Sequence, residues 1–250
     1  MSVRSRLVTR ARHLPYPIRH AGRQVQRWAR RRRSDRRVRW GSLRRTRPIS
    51  RDYGLDRGTP IDRVFLDRFF AAHASDIRGA VLEVGGPVFS GRHGRGVTST
   101  DIIDVDPENE AATIVADLAV PDALPQGAFD CIVVPQTLQY VADPRVAVAN
   151  LHDALRPGGV LLLTVPVIAQ LDHHHATVDR WRVTPVGLRE LLERWCPGAE
   201  HTVESAGNVL AATAFLQGIC VEEMRPTDFD VVDPLFPMVA MARVVRRGSA

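Results

Sequence analysis

The sequence predicts an α/β protein with a mostly parallel sheet covered by helices. Five short runs, "AVLEV" (80–84), "VTSTD" (97–101), "ATIVAD" (112–117), "FDCIVVP" (129–135) and "VLLLTVP" (160–166), are β-rich and apolar. Near-continuous apolar runs mark strands buried on both faces, hence parallel strands under helices. A helical pattern lies between the fourth and fifth runs: in "DPRVAVANLHDALRPGG", Val146, Val148, Leu151 and Leu155 recur near helical spacing before a Pro-Gly-Gly turn. That is a crossover helix. A second helix is predicted in "TPVGLRELLERWCPG", with Thr184 as cap and Pro185 at its first position. "HTVES" and "FPMVAMARVV" are predicted as two further strands, with a helix in "GNVLAATAFLQG" between them.

At 250 residues and 44% hydrophobic content, the chain has enough apolar material for one sizeable core plus an appendage. No apolar run reaches the roughly 18 residues of a membrane span. Cys131, Cys196 and Cys220 show neither metal-ligand nor redox spacing and are expected as small core residues in a reducing cytosol. Charge divides the chain. Met1 to Arg51 holds 18 arginines against the single acid Asp35, net +17, and the remainder holds 16 arginines against 27 acids, net −11, together the overall +6. The expected organisation is therefore a basic tail, 1–50, and a folded acidic domain, 51–250. The tail is too charged and too poor in apolar residues to bury a core alone. Ile18, Ala21, Val25, Trp28 and Ala29 nevertheless fall on one helical face surrounded by arginine. Such a segment suits an anionic membrane surface, and the same charge would bind phosphate backbones non-specifically.

In an open parallel sheet, ligands bind beyond the carboxyl ends of the strands. The residues there are Glu83, Gly85 and Gly86 after the first run, Asp101 after the second, Asp117 after the third and Gln136 after the fourth. The ordered set "VLEVGG", "TSTD", "VADL", "FDCIVVPQTLQYV" and "LRPGGVLLLTVP" resembles the class I S-adenosylmethionine-dependent methyltransferases, and within them the type-11-like bacterial group associated with glycosyltransferases. The narrower likeness adds "RDYGLDRGTPIDR", "WRVT", "GNVL" and "DPLFP", and the whole covers about Asp52 to Arg247.

The resemblance implies a Rossmann-like, mostly parallel seven-stranded sheet with an antiparallel last strand. It implies S-adenosyl-L-methionine as cofactor. Gly85 and Gly86 would face its methionine part, with Glu83 near the ammonium. Asp101 would accept both ribose hydroxyls, with Asp104 and Asp106 as competitors. Asp117 would take the adenine amine, Leu118 would cover the ring, and Gln136 would line the floor. Arg57 or Arg63 would pair with the methionine carboxylate, and Tyr53 would cover the sulfonium.

This sequence departs from the family pattern at its glycine loop. Only twelve residues, Gly85 to Gly96, separate the first two strands, so the first crossover must be shortened. A trimmed helix serves a pyrophosphate poorly, whereas S-adenosylmethionine carries no phosphate. In "LDHHHATVDRWRVTP", the consecutive side chains of the three histidines diverge and no familiar ligand set completes them, so no metal is expected. His175 is the candidate general base, with Asp179 orienting it or acting itself.

The expected function is O-methylation of a sugar hydroxyl on a cell-envelope glycan or glycolipid intermediate, the substrate following only from the group's association. The expected partners are a small-molecule or glycolipid acceptor, a glycosyltransferase, and an anionic membrane surface for the tail. The expected location is cytoplasmic, peripheral at the inner face of the membrane. Two alternatives stand beside this: a nucleic-acid methyltransferase, and a catalytically silent scaffold assisting a glycosyltransferase. Against the first, the turn after the fourth strand lacks an Asn/Asp-Pro-Pro-aromatic sequence, and specific nucleic-acid binding is not expected.

Overall fold

The computed structural model describes residues 41–248. The helical face from Ile18 to Ala29 lies outside them. Gly41–Leu43 form a single 3-10 turn in a unit that ends at Thr46, and a second unit begins at Arg47.

The second unit is built on one seven-stranded sheet in the order β3-β2-β1-β4-β5-β7-β6. The strands are β1 (Gly79–Val84), β2 (Val97–Asp104), β3 (Ile114–Val115), β4 (Phe129–Val134), β5 (Leu155–Pro166), β6 (Glu200–Ala206) and β7 (Val239–Val245). β1 pairs in parallel with β2 and β4, as does β5 with β4, while β7 runs antiparallel between β5 and β6. This is the Rossmann-like sheet implied by the sequence, with its antiparallel last strand.

Helices α1 (Asp62–Ala72), α2 (Val88–His93), α3 (Pro144–Ala154), α4 (Pro185–Trp195) and α5 (Val209–Gln217) cover the two faces. Alternate strand residues divide between them, because successive side chains point to opposite sides of a strand. Leu82, Ile132, Val134, Leu161 and Leu163 pack with residues of α3 and α4. Val81, Cys131, Val133 and Leu162 pack with α1, Phe89 of α2 and α5. All three cysteines are buried and free.

The helix signals are realised at the atoms. Asp143 caps α3 by accepting from the Arg145 N–H, with Pro144 in the first turn. Thr184 caps α4 by accepting from the Gly187 N–H, with Pro185 in the first turn. α3 stops at Ala154, and "LRPGG" already belongs to β5, so the helix ends before the expected turn. The first crossover holds only the six-residue α2.

Before α1, the segment from Ile49 folds back over the end of α5. Ile49 and Ser50 both donate backbone N–H groups to the Gln217 carbonyl. Gly218 makes this approach possible: its φ is +67°, and a Cβ there would lie 2.4 Å from the Ser50 carbonyl oxygen. Ser50 Oγ then accepts from the N–H groups of Asp52 (3.0 Å) and Gly54 (3.2 Å), fixing the turn that carries Tyr53. The Tyr53 ring stacks on Phe215 of α5, centroids 5.7 Å apart.

Candidate functional site

A cavity of about 530 Å³ opens beyond the carboxyl ends of β1, β2 and β4. That volume lies within the range of small-ligand sites. Its lining includes Gly85, Asp104, Asp117, Leu118, Gln136 and Tyr140.

Gly85 turns the chain out of β1 with φ +81°, and a Cβ there would meet nothing within 4 Å. The left-handed backbone, not crowding, is what calls for glycine. Gly86 is not among the residues lining the cavity. Glu83 differs from its expected role. It is fully buried, with one carboxylate oxygen accepting from Phe89 N–H (2.8 Å) and the other from Ser90 N–H (2.8 Å) and Ser90 Oγ (2.5 Å). All three of these bonds go to the start of α2, so Glu83 holds the shortened loop, and it is not among the residues lining the cavity.

Asp101 is also corrected in position. β2 continues through Ile102 and Ile103 to Asp104, so Asp101 lies within the strand, beside Leu82 of β1. Its carboxylate accepts from Thr113 Oγ1 at 2.9 Å. The acid at the strand end is Asp104. Asn109 Nδ2 donates both to Asp104 Oδ2 (2.7 Å) and to the Gly85 carbonyl (3.1 Å), joining the ends of β2 and β1 at the cavity rim. Asp117 also lines the cavity, with Oδ1 accepting from the Ala119 N–H at 2.8 Å, and Leu118 beside it is buried. Gln136 adopts φ +45°, and its N–H donates to Oγ1 and the carbonyl of Thr164 in β5. A non-glycine residue held in the left-handed region is an outlier of the kind that clusters at ligand sites.

A second cavity, about 190 Å³, adjoins the first and shares Gln136, Tyr140 and Asp172 with it. Asp52, Arg63, Gln139, Arg182 and Phe215 are among its other lining residues. Tyr53 belongs to this second cavity. Burial first, then the nearby Asp172 charge, pushes its phenol above its ordinary value. Arg57 is turned away: it is bound to Glu223 through two guanidinium contacts, so the methionine carboxylate role does not fall to it. Arg63 stands in the second cavity.

At the junction, Asp172 Oδ2 accepts from Tyr140 OH at 2.9 Å and lies 3.0 Å from His175 Nδ1. Burial first, then the hydrogen bond to Asp172, pushes the Tyr140 phenol up to about 12. Tyr140 is therefore a donor at neutral pH. For Asp172, burial works to raise the carboxyl, but hydrogen bonds from His175, Tyr140 and the His174 N–H outweigh it and hold it below the usual range. An ionised Asp172 fixes the Nδ1–H tautomer of His175 and leaves Nε2 as the free lone pair. Asp179 is committed elsewhere. It forms a bidentate pair with Arg182, 2.6 Å and 2.8 Å, and accepts from the Asp172 N–H at 2.9 Å. Burial opposes these contacts, yet they hold the Asp179 carboxyl low. These contacts brace the loop, and Asp179 also lines the second cavity.

The three histidines also stand differently from expectation. His173 and His174 keep their rings together, centroids 3.8 Å apart, and Asp52 brings a carboxylate to them from the opposite side of the sequence.

The sequence matches the methyltransferase domain family over residues 29–201, and the chain belongs to that family. It is a class I, S-adenosylmethionine-dependent methyltransferase. No curated protein matches the sequence. Among solved structures, it is similar to an S-adenosylmethionine-dependent methyltransferase from Mesorhizobium loti: 18% identity, covering 71% of this chain and 95% of that one, TM-score 0.48. It is also similar to the N-methyltransferase NodS from Bradyrhizobium japonicum, solved with S-adenosyl-L-homocysteine: 14% identity, 80% and 94% coverage, TM-score 0.47. A third is a Haloferax volcanii methyltransferase in complex with the activator Trm112: 16% identity, 75% and 94% coverage, TM-score 0.48.

The residues present fit the cofactor chemically. The larger cavity offers a carboxylate at the end of β2 for a diol and a second carboxylate beside an apolar wall for an amino-substituted ring, and among the described residues Arg180 is the one arginine in its lining, short of the cluster of cations a phosphate would need.

Proposed function

We propose that the enzyme methylates a hydroxyl group, on a sugar of a cell-envelope glycan or glycolipid intermediate. The observation that carries this reading is the second cavity. It joins the cofactor cavity through Gln136, Tyr140 and Asp172, and its wall combines carboxylates, two amides and arginines with the ring of Phe215. Sugars are bound by such walls, because their hydroxyls need many hydrogen-bonding partners and their C–H faces need an apolar surface.

In this reading Asp104 accepts the ribose hydroxyls, Asp117 takes the adenine amine and Leu118 covers the ring. Gly85 leaves room for the methionine part, and Gln136 lines the floor. The cofactor supplies an already activated methyl group on a positively charged sulfur. The protein then has to hold the acceptor oxygen in line and remove its proton. His175 Nε2 takes that proton as the oxygen gains the methyl group, and the Asp172 carboxylate stabilises the resulting imidazolium. Tyr140 keeps Asp172 in place from the other side.

The basic segment before Arg51 would hold the enzyme at an anionic membrane surface, where a lipid-linked acceptor resides. Among the described residues no helix is long and apolar enough to cross a membrane. A glycosyltransferase partner and a cytoplasmic location belong to the same reading.

The test is transfer of labelled methyl from S-adenosylmethionine to a panel of lipid-linked and free oligosaccharides, RNA and small phenols. Label in oligosaccharide alone supports the reading. Transfer to RNA alone, weakened by removing Met1 to Ser50, would replace it with the nucleic-acid alternative.

A further inference from the structure

The geometry points to a divalent metal site at the mouth of the second cavity, formed by Asp52, His173 and His174. One donor atom from each lies within 4.8 Å of the other two. Asp52 and His174 also line the cavity. Consecutive histidines diverge in an extended chain, but here they sit in a loop whose backbone is gathered by Asp172. Asp172 accepts from the His174 N–H at 2.9 Å and holds the His175 ring. The carboxylate arm is fixed separately, with the Asp52 N–H bound to Ser50 Oγ at 3.0 Å. The two arms are tied together as well: Gln170 Nε2 donates to the Arg51 carbonyl, one residue before Asp52 and three before His173.

Two imidazoles with one carboxylate are a donor set for borderline divalent ions, with zinc the simplest member. Ligand distances of about 2.0–2.2 Å require tetrahedral donors about 3.3 Å apart, so modest side-chain rotations complete the site. Both imidazoles are exposed and free to make them. Three protein ligands leave a position open, and at the cavity mouth that position is available to an acceptor oxygen, a role that rests on the acceptor reading above. Metal binding itself does not depend on that reading.

The experiment uses the full chain, free of any tag and stripped with a chelator, titrated with Zn²⁺ by calorimetry. S-adenosylhomocysteine binding and thermal unfolding are measured on the same samples. The expected result is one equivalent of Zn²⁺ per chain, bound at least 10-fold more weakly by Asp52→Asn, His173→Ala and His174→Ala, and unchanged in His201→Ala on β6. All variants should keep S-adenosylhomocysteine binding and cooperative melting, which separates loss of the metal site from loss of the cofactor site or fold. Binding well below one equivalent, or an equivalent that survives all three substitutions, overturns the assignment.

Discussion

Replacing Glu83 tests whether the acid after β1 serves the loop or the cofactor. Its carboxylate accepts three hydrogen bonds from the start of α2, and the donor residues Phe89 and Ser90 are 4% and 5% exposed. Glu83→Ala leaves two backbone N–H groups without a partner in a buried setting, while the Ser90 hydroxyl is free to rotate away. At about 1–3 kcal/mol for each orphaned donor, the loss is about 2–6 kcal/mol. That is a large share of the 5–15 kcal/mol typical of a folded domain. Glu83→Gln keeps one acceptor oxygen and should lose about 1–3 kcal/mol. Urea unfolding of the full chain measures both, and the melting temperature should fall by roughly 2–4 °C per kcal/mol. A Glu83→Ala protein within about 0.5 kcal/mol of wild type, but with more than 10-fold weaker cofactor binding, would refute the structural role and make Glu83 a ligand-facing group.

Asp76, in the turn after α1, pairs with Arg243 of β7 through contacts of 2.8 Å and 2.9 Å. The Arg243 guanidinium holds its carboxyl below the usual range against the opposing effect of burial. A lowered folded-state pKa stabilises the protein above the unfolded value near 3.9, and the contribution is lost as pH falls through the folded value. Asp76→Asn should therefore cost about 1–2 kcal/mol at pH 7, partly screened by solvent, and the gap to wild type should narrow below about pH 4 in urea unfolding. Asn208 caps α5 by accepting from Leu210 and Ala211 N–H groups and donates to the Asp228 and Val231 carbonyls. Asn208→Ala should cost about 2–3 kcal/mol by the same assay. His175→Ala should slow methyl transfer by about 10²-fold or more while leaving S-adenosylhomocysteine binding within about 3-fold, separating proton removal from cofactor binding.

The strand runs were legible because burial on both faces leaves few polar residues in them, and the cap at Thr184 was legible because capping is local. Asp101 misled for a physical reason. It occupies a half-buried position near the sheet edge, where Thr113 satisfies its carboxylate, so an acid in mid-strand resembles a strand end. The pair Ile102 and Ile103 just after it was the available signal that β2 continues. Glu83, Arg57 and Asp179 make contacts that the sequence did not announce, because their partners decide them. Ser90 lies seven residues from Glu83, Glu223 lies 166 from Arg57, and Arg182 only three from Asp179. The last was within reach of a local reading, since an acid and an arginine three apart in "DRWR" are natural partners. The approach of Asp52 to the histidines was not, because it depends on the return of the chain over Gly218.

The most direct test of the account is a calorimetric titration of S-adenosylmethionine and S-adenosylhomocysteine into the full chain, with Asp104→Asn and Asp101→Asn alongside wild type. Both ligands should bind, weakened at least 10-fold, about 1.4 kcal/mol, by Asp104→Asn and changed by less than about 3-fold by Asp101→Asn. No binding by a folded wild-type chain, or a loss confined to Asp101→Asn, would contradict it.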